Sequence, residues 1–159
     1  MKQSELSKWL KTVIVFLVII ACTTVFYIGP TIIGWRASLH PEWKFLSILG
    51  FGTSIIAIFP IMVAFGFSWV ICDEIKKDNS FSMKNSRLLK YIANCLILDS
   101  VIFFMSLLML FFFKYFDFTM IMINVILFFS FMFIAIIMAV LSHLTEKAAI
   151  IKSENELTI

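Results

Sequence analysis

The sequence predicts an all-α protein: a four-helix transmembrane bundle with its N-terminus and C-terminus cytoplasmic. Three observations predict it. The chain is 62% hydrophobic and only 14% charged over 159 residues, with a mean hydropathy of +1.03. Four apolar runs reach the length that a spanning helix needs. Basic residues gather on one side of those runs.

A soluble domain is typically about 45–50% apolar and about 25% charged. A water-soluble fold of this size has no interior large enough for the apolar surface present here. A bilayer accepts it, and the nineteen Phe and nine Met suit hydrocarbon. The net charge of +3 is modest, and the Lys and Arg lie in short loops rather than on one face. Direct nucleic-acid binding is therefore not expected. Cys22, Cys72 and Cys95 are odd in number and form no CxxC pair, so free thiols are expected rather than a disulfide framework or zinc site.

The apolar runs cover residues 13–33, 45–71, 88–113 and 118–141. A helix rising 1.5 Å per residue crosses the hydrocarbon core in about 20 residues. Backbone polar groups in lipid must pair within their own segment, so each run is expected to be helical. Transmembrane strands of about ten alternating residues are not seen. The chain reads as one membrane domain over 1–159, with a cytoplasmic helical tail at 142–159.

Sidedness follows from charge. Lys2, Lys8 and Lys11 precede the first run, Lys76, Lys77, Lys84, Arg87 and Lys90 surround the middle loop, and Lys147 and Lys152 follow the fourth run. On the opposite side are only Arg36, Lys44 and Lys114. Basic residues in short loops mark the cytoplasmic face, so ten against three places both ends inside. Trp9 and Trp69 at the inner helix ends, with Trp35 and Trp43 at the outer ends, agree with an interfacial aromatic belt. Tyr91 and Tyr115 also sit near the interfaces, whereas Tyr27 falls within the first run. Ile19-Ile20-Ala21-Cys22 resembles a lipoprotein cleavage box after a Lys-rich start. Because the apolar run continues to Ile33, we read a plain helix; a lipid-modified Cys22 is the competing reading.

Asp99 is the most informative single residue. It lies about nine residues inside the third run, ~13 Å deep at 1.5 Å per residue. An Asp at a helix centre costs roughly 2.5–3.5 kcal/mol on insertion scales, so it is expected to face the bundle. Tyr91, Cys95, Asp99 and Ser106 fall along one stripe by their spacing. Thr23, Thr24 and Ser130 lie at similar depth, and Pro60 leaves a carbonyl one turn earlier without its donor. These five positions, Asp99, Thr23, Thr24, Ser130 and Pro60, form a candidate intramembrane polar site. It would be either a proton, ion or ligand site, or interhelical hydrogen bonding that sets packing. Gly50, Gly52 and Gly66 in the same helix as Pro60 are expected to allow close helix approach.

Two cytoplasmic elements are candidates for partner docking. The middle loop and the start of the third helix offer Lys76, Lys77, Phe81, Ser82, Lys84, Arg87 and Lys90, with Ser82 as a helix N-cap. The basic stripe would otherwise anchor to anionic headgroups. The tail offers Lys152, Glu154, Asn155 and Glu156, and Leu144, Ala148 and Ile151 repeat at helical spacing along it. An apolar stripe of this kind fits a helix lying on headgroups, packed against the middle loop, or bound to a protein. No HExxH, GxSxG or P-loop motif is present. His40 and His143 have no nucleophile or second ligand at motif spacing, so no enzyme activity, metal or cofactor is expected.

Ala57-Ile58-Phe59-Pro60, Ile75-Lys76-Lys77-Asp78-Asn79-Ser80-Phe81-Ser82 and Leu88-Leu89-Lys90-Tyr91-Ile92 resemble the central signature of the YoaS-like bacterial membrane proteins. The closing Ile151-Lys152-Ser153-Glu154-Asn155-Glu156-Leu157-Thr158-Ile159 is similar to that family's "KSENDLTV" pattern, with Glu for Asp and Ile for Val. This is a domain of unknown function, serial twenty-nine seventy-five. The resemblance implies a four-helix, multi-pass protein of the bacterial cytoplasmic membrane and no established activity. Such members are commonly encoded beside a small helix-turn-helix regulator. That association implies a membrane-bound regulator or anchor of such a factor, docked on the inner loop and tail. The alternative from the residues themselves is a small transporter, channel or immunity-type protein using Asp99. Four helices leave little room for a solute pathway, so that alternative would require a homo-oligomer.

Overall fold

The computed structural model describes residues 3–39, 41, 44–114 and 118–157. Lys2, His40, Trp43, Tyr115, Thr158 and Ile159, which entered the sequence argument, lie outside the described residues, as do the side chains of Arg36 and Glu156.

The described residues are helical throughout their long segments, with no strand among them. The first span is α1 (Gln3–Thr23), a π-helical turn (Thr24–Ile28) and α2 (Gly29–Leu39). The others are α3 (Lys44–Lys76), α4 (Met83–Phe112) and α5 (Phe118–Leu157). All four spans are long and apolar enough to cross a membrane. Each helix outruns its apolar stretch because backbone pairing continues past the hydrocarbon. The 40 residues of α5 measure ~60 Å at 1.5 Å per residue, about twice the core thickness. Arg36 therefore sits on α2 rather than in the loop expected from composition.

Pro30 accounts for the π turn. Its ring nitrogen has no hydrogen to give the carbonyl of Phe26, so the preceding turn widens. The Gly29 N–H then reaches back five residues to the Thr24 carbonyl. Pro60, by contrast, sits inside an uninterrupted α3.

Close backbone approach follows chain order among the described residues: α1 on α3, α2 on α3, α3 on α4 and α4 on α5. The α4–α5 pair is the most extensive. Its cause is legible in spacing. Ser86, Ala93 and Ser100 on α4 recur every seventh residue, as do Ala135, Ser142 and Ala149 on α5, and all six are buried. Small side chains let two backbones come close, and a seven-residue repeat keeps them facing one another. Ser86 and Ser142 meet directly. The Ser86 hydroxyl donates to the Ser142 carbonyl at 3.0 Å, and the Ser142 hydroxyl donates to the Ser86 carbonyl at 2.8 Å.

The apolar core of α3, α4 and α5 consists of Ala64, Ile92, Leu96 and Ala135, flanked by Phe67, Ile71, Phe131 and Met138. The first span stands outside it: the apolar window of α1–α2 contributes no buried residue. The glycines of α3 correct one expectation. A Cβ added at Gly50, Gly52 or Gly66 would meet nothing within 4 Å, so none of them mediates close helix contact. Ala and Ser on α4 and α5 do that instead.

The start of α1, the α3–α4 loop and the extension of α5 lie at one end of the bundle. Ser7 donates to the Cys72 carbonyl at 2.7 Å, Lys11 pairs with Asp73 at 2.5 Å, and the Gln3 amide donates to the Asp78 carboxylate. We call this the terminal end, and the opposite one the far end.

Candidate functional site

Three places carry unusual chemistry: the buried carboxyl of Asp99, a cavity at the far end, and the polar surface of the terminal end.

Asp99 faces inward as expected, with 0% of its surface exposed. Both carboxyl oxygens are without a hydrogen-bond partner among the described residues. The proposed polar layer around it is not assembled. Thr23, Thr24 and Ser130 are exposed on the outside of the bundle, and Pro60 is half-buried. The reason is rotational: depth alone was matched, whereas the face of each helix is set by packing. Tyr91, expected on the Asp99 stripe, is also exposed, and its ring tilts against Phe67 with centroids 5.6 Å apart. Two hydroxyls nearest this depth close on their own helix instead. Ser100 donates to the Ile97 carbonyl and Ser68 to the Ala64 carbonyl. A hydroxyl can satisfy itself on its own helix in this way. A carboxyl has no equivalent local donor here.

Phe103 lies one helical turn from Asp99 toward the far end and stacks on Phe131 of α5, with centroids 5.5 Å apart and planes 5° apart. Beyond this pair opens a cavity of about 190 Å³. Ile33 of α2, Gly50 and Thr53 of α3, Ser106 of α4, and Ile123 and Asn124 of α5 are among its walls. No motif in the sequence announces it, since a cavity between four helices has no signature in any one of them. The lone Asn124 in an apolar run was the only available signal.

The terminal end is organised by Glu74, which is buried although charged. Its carboxylate accepts from the Lys84 ammonium at 2.8 Å and from the Asn79 amide at 3.2 Å, with Lys77 at 3.6 Å. The Ser82 hydroxyl accepts from the Asn85 N–H, so the expected N-cap is present. Asn85 is itself buried and its amide donates to the carbonyls of Asn79 and Ser80. The α3–α4 loop is thereby clamped at three points. Asp78 takes a φ of 59°, a left-handed conformation that Asp tolerates in turns. Lys11 also lies over the Trp69 ring, 4.6 Å from its centroid.

Of the docking residues, Lys76, Lys77, Phe81, Lys84, Arg87 and Lys90 are exposed and Ser82 is half-buried. Two of these lysines are engaged by Glu74. Lys152, Glu154 and Asn155 are exposed on the α5 extension. Of the three readings of the stripe on that extension, packing against the middle loop is the one the exposures do not fit. Leu144 and Ile151 point outward, at 56% and 58% exposure, while Ser142, Thr145 and Ala149 are the buried face. The small-residue heptad continues past the apolar run and outcompetes the larger side chains for the helix contact. All three cysteines are free thiols. No cluster of three His, Cys, Asp or Glu with metal-binding geometry occurs among the described residues.

A family described as "Protein of unknown function (DUF2975)" matches residues 31–159. The chain belongs to this family. It is also similar to the uncharacterized membrane protein YoaS of Bacillus subtilis (strain 168), with 27% identity over 153 residues, covering 95% of this chain and 96% of that protein. No solved structure matches. The likeness to a membrane protein and the four helices able to span a bilayer together make this a multi-pass membrane protein.

Proposed function

We propose that this protein is a membrane-bound regulator or anchor of a cytoplasmic helix-turn-helix transcription factor, with no enzymatic role. The observation that carries the reading is the asymmetry of the two ends. The terminal end gathers the exposed Lys76, Arg87 and Lys90, a clamped loop, and a helix that continues ~24 Å past its apolar run. The far end has only short connections between helices.

The positive charge asymmetry supports a cytoplasmic terminal end. Lys76, Arg87 and Lys90 would hold that end at anionic headgroups. The extension would then reach into the cytoplasm with Leu144 and Ile151 on one side and acidic residues such as Glu154 and Glu156 near its tip. Apolar contact plus carboxylates suits a basic DNA-binding module, and occupying that module would compete with DNA. The implied neighbouring helix-turn-helix regulator of YoaS-like proteins supplies the partner class.

Co-purification tests this. The neighbouring regulator should elute with the full chain and be lost when residues 153–159 are deleted and Lys76, Arg87 and Lys90 are neutralised. Retention by that variant, with unchanged regulator activity in cells, would sink the reading.

A second reading, a small transporter or channel, draws on the two orphaned oxygens of Asp99 beneath the far-end cavity. It predicts ion- or proton-coupled flux in vesicles that Asp99→Asn abolishes. Equal flux in both proteins would exclude it.

A further inference from the structure

We propose that the far-end cavity is a binding site for an uncharged amphiphile dissolved in the bilayer: an apolar chain or ring bearing a single hydroxyl or carbonyl head.

The cavity has room. Its 190 Å³ is far above the roughly 10–15 Å³ that one water needs by the same measure. Its wall is mostly aliphatic and aromatic, and among the described residues no charged side chain lines it. A charged head would therefore lose its hydration without a counter-ion, so the ligand is neutral.

The wall also holds unspent hydrogen-bonding capacity. Ser106 is 8% exposed, and its hydroxyl makes no hydrogen bond among the described residues, although it borders the cavity. A hydroxyl that meets an apolar cavity in hydrocarbon has neither water nor a partner unless a ligand brings one. Asn124 spends one of its two amide N–H groups on the Met120 carbonyl at 2.9 Å, which leaves the other as a donor and its side-chain oxygen as an acceptor. Thr53 and Ser54 both donate to the Gly50 carbonyl, which leaves their oxygens as acceptors. The Ser106 hydroxyl and the second Asn124 N–H are donors beside several acceptors, a set that matches a hydroxyl head or a carbonyl head.

The route in is lateral. Residues of α2 and α5 both line the cavity, yet these two helices are not among those in close backbone approach. An entrance between them would open the cavity toward lipid, and the ligand would then arrive from the bilayer. Gly50 sets part of the volume, since a Cβ there would meet nothing within 4 Å.

The test uses the full chain in phosphatidylcholine vesicles and a medium-chain alcohol carrying a diazirine. Irradiation should concentrate label on Ile123, Leu127 and Leu110, and excess unlabelled alcohol should suppress it. The matched alkane diazirine should label lipid-facing residues diffusely and compete poorly. Ser106→Ala should weaken saturable labelling about two- to tenfold, the value of one hydrogen bond. Gly50→Phe should reduce it to the alkane background while circular dichroism stays helical. Diffuse, non-saturable labelling of the native chain by the alcohol would overturn the site, whatever the variants do. So would full labelling in a folded Gly50→Phe protein. Equal competition by the alkane would refute the role of the polar head.

Discussion

A carboxyl group buried with no hydrogen bond costs about 1–3 kcal/mol, the penalty of an unsatisfied polar group. Asp99 is in that position, with neither oxygen paired among the described residues. Replacing it by Val removes the polar atoms at similar bulk and keeps the helix. Asp99→Val should therefore raise the denaturant midpoint in detergent, by an amount equivalent to about 1–3 kcal/mol. A lower midpoint would mean that the carboxyl has a stabilising partner. The inward direction of Asp99 was legible from sequence, because a lone carboxyl in a spanning run has nowhere else to go. Its neighbours were not. Thr23, Thr24 and Ser130 match it in depth, but each turns out toward lipid, where a hydroxyl is tolerated by bonding to its own helix.

At the scale of elements, the α4–α5 contact depends on small residues in register. Ala135 is 1% exposed at its centre. Ala135→Leu should force the helices apart and cost about 1–3 kcal/mol, the usual range for overpacking. Gly52→Leu, where a new side chain meets open space, should stay within about 0.5 kcal/mol of the native protein. Equal losses at both positions would contradict this division between contact residues and free ones. The α3–α4 loop depends on charge. Glu74→Gln removes the ion pair with Lys84 and weakens the hold on Asn79, so amide exchange at residues 79–82 should accelerate while the helix interiors keep their protection. Unchanged exchange there would show that the Asn85 amide clamps the loop without help from Glu74. The Ser82 cap was readable because N-capping is local in sequence. Glu74 as organiser was not, because its partners come from both sides of a turn.

For the whole molecule, the start of α1 and the extension of α5 lie at the same end, and the proposed function requires that end to be the cytoplasmic one, as the charge bias leads one to expect. In a chain whose three native cysteines are replaced, Lys8→Cys and Ser153→Cys should both react with a membrane-impermeant maleimide only after the membrane is opened. Labelling of either from outside would reverse the orientation and remove the basis for a cytoplasmic partner. The same end also contains the ties of the first span to α3, through Ser7, Lys11 and Asp73. That span is otherwise peripheral, and the family match begins at residue 31, near its far end.

By itself, the amino-acid order determined that this chain is helical, crosses a membrane four times and carries its positive charge on one side. Those properties depend on run length and composition, which lipid reads segment by segment: a stretch of about 20 apolar residues spans whatever its neighbours do. Only the tertiary structure decided which face of each helix turns inward. Rotation about a helix axis is chosen by packing between segments, and in hydrocarbon every face is apolar enough to be outside. That choice brought the Ser and Ala heptads together, turned the glycines of α3 toward open space, left Asp99 without a partner, and opened between four helices a cavity that no single run encodes.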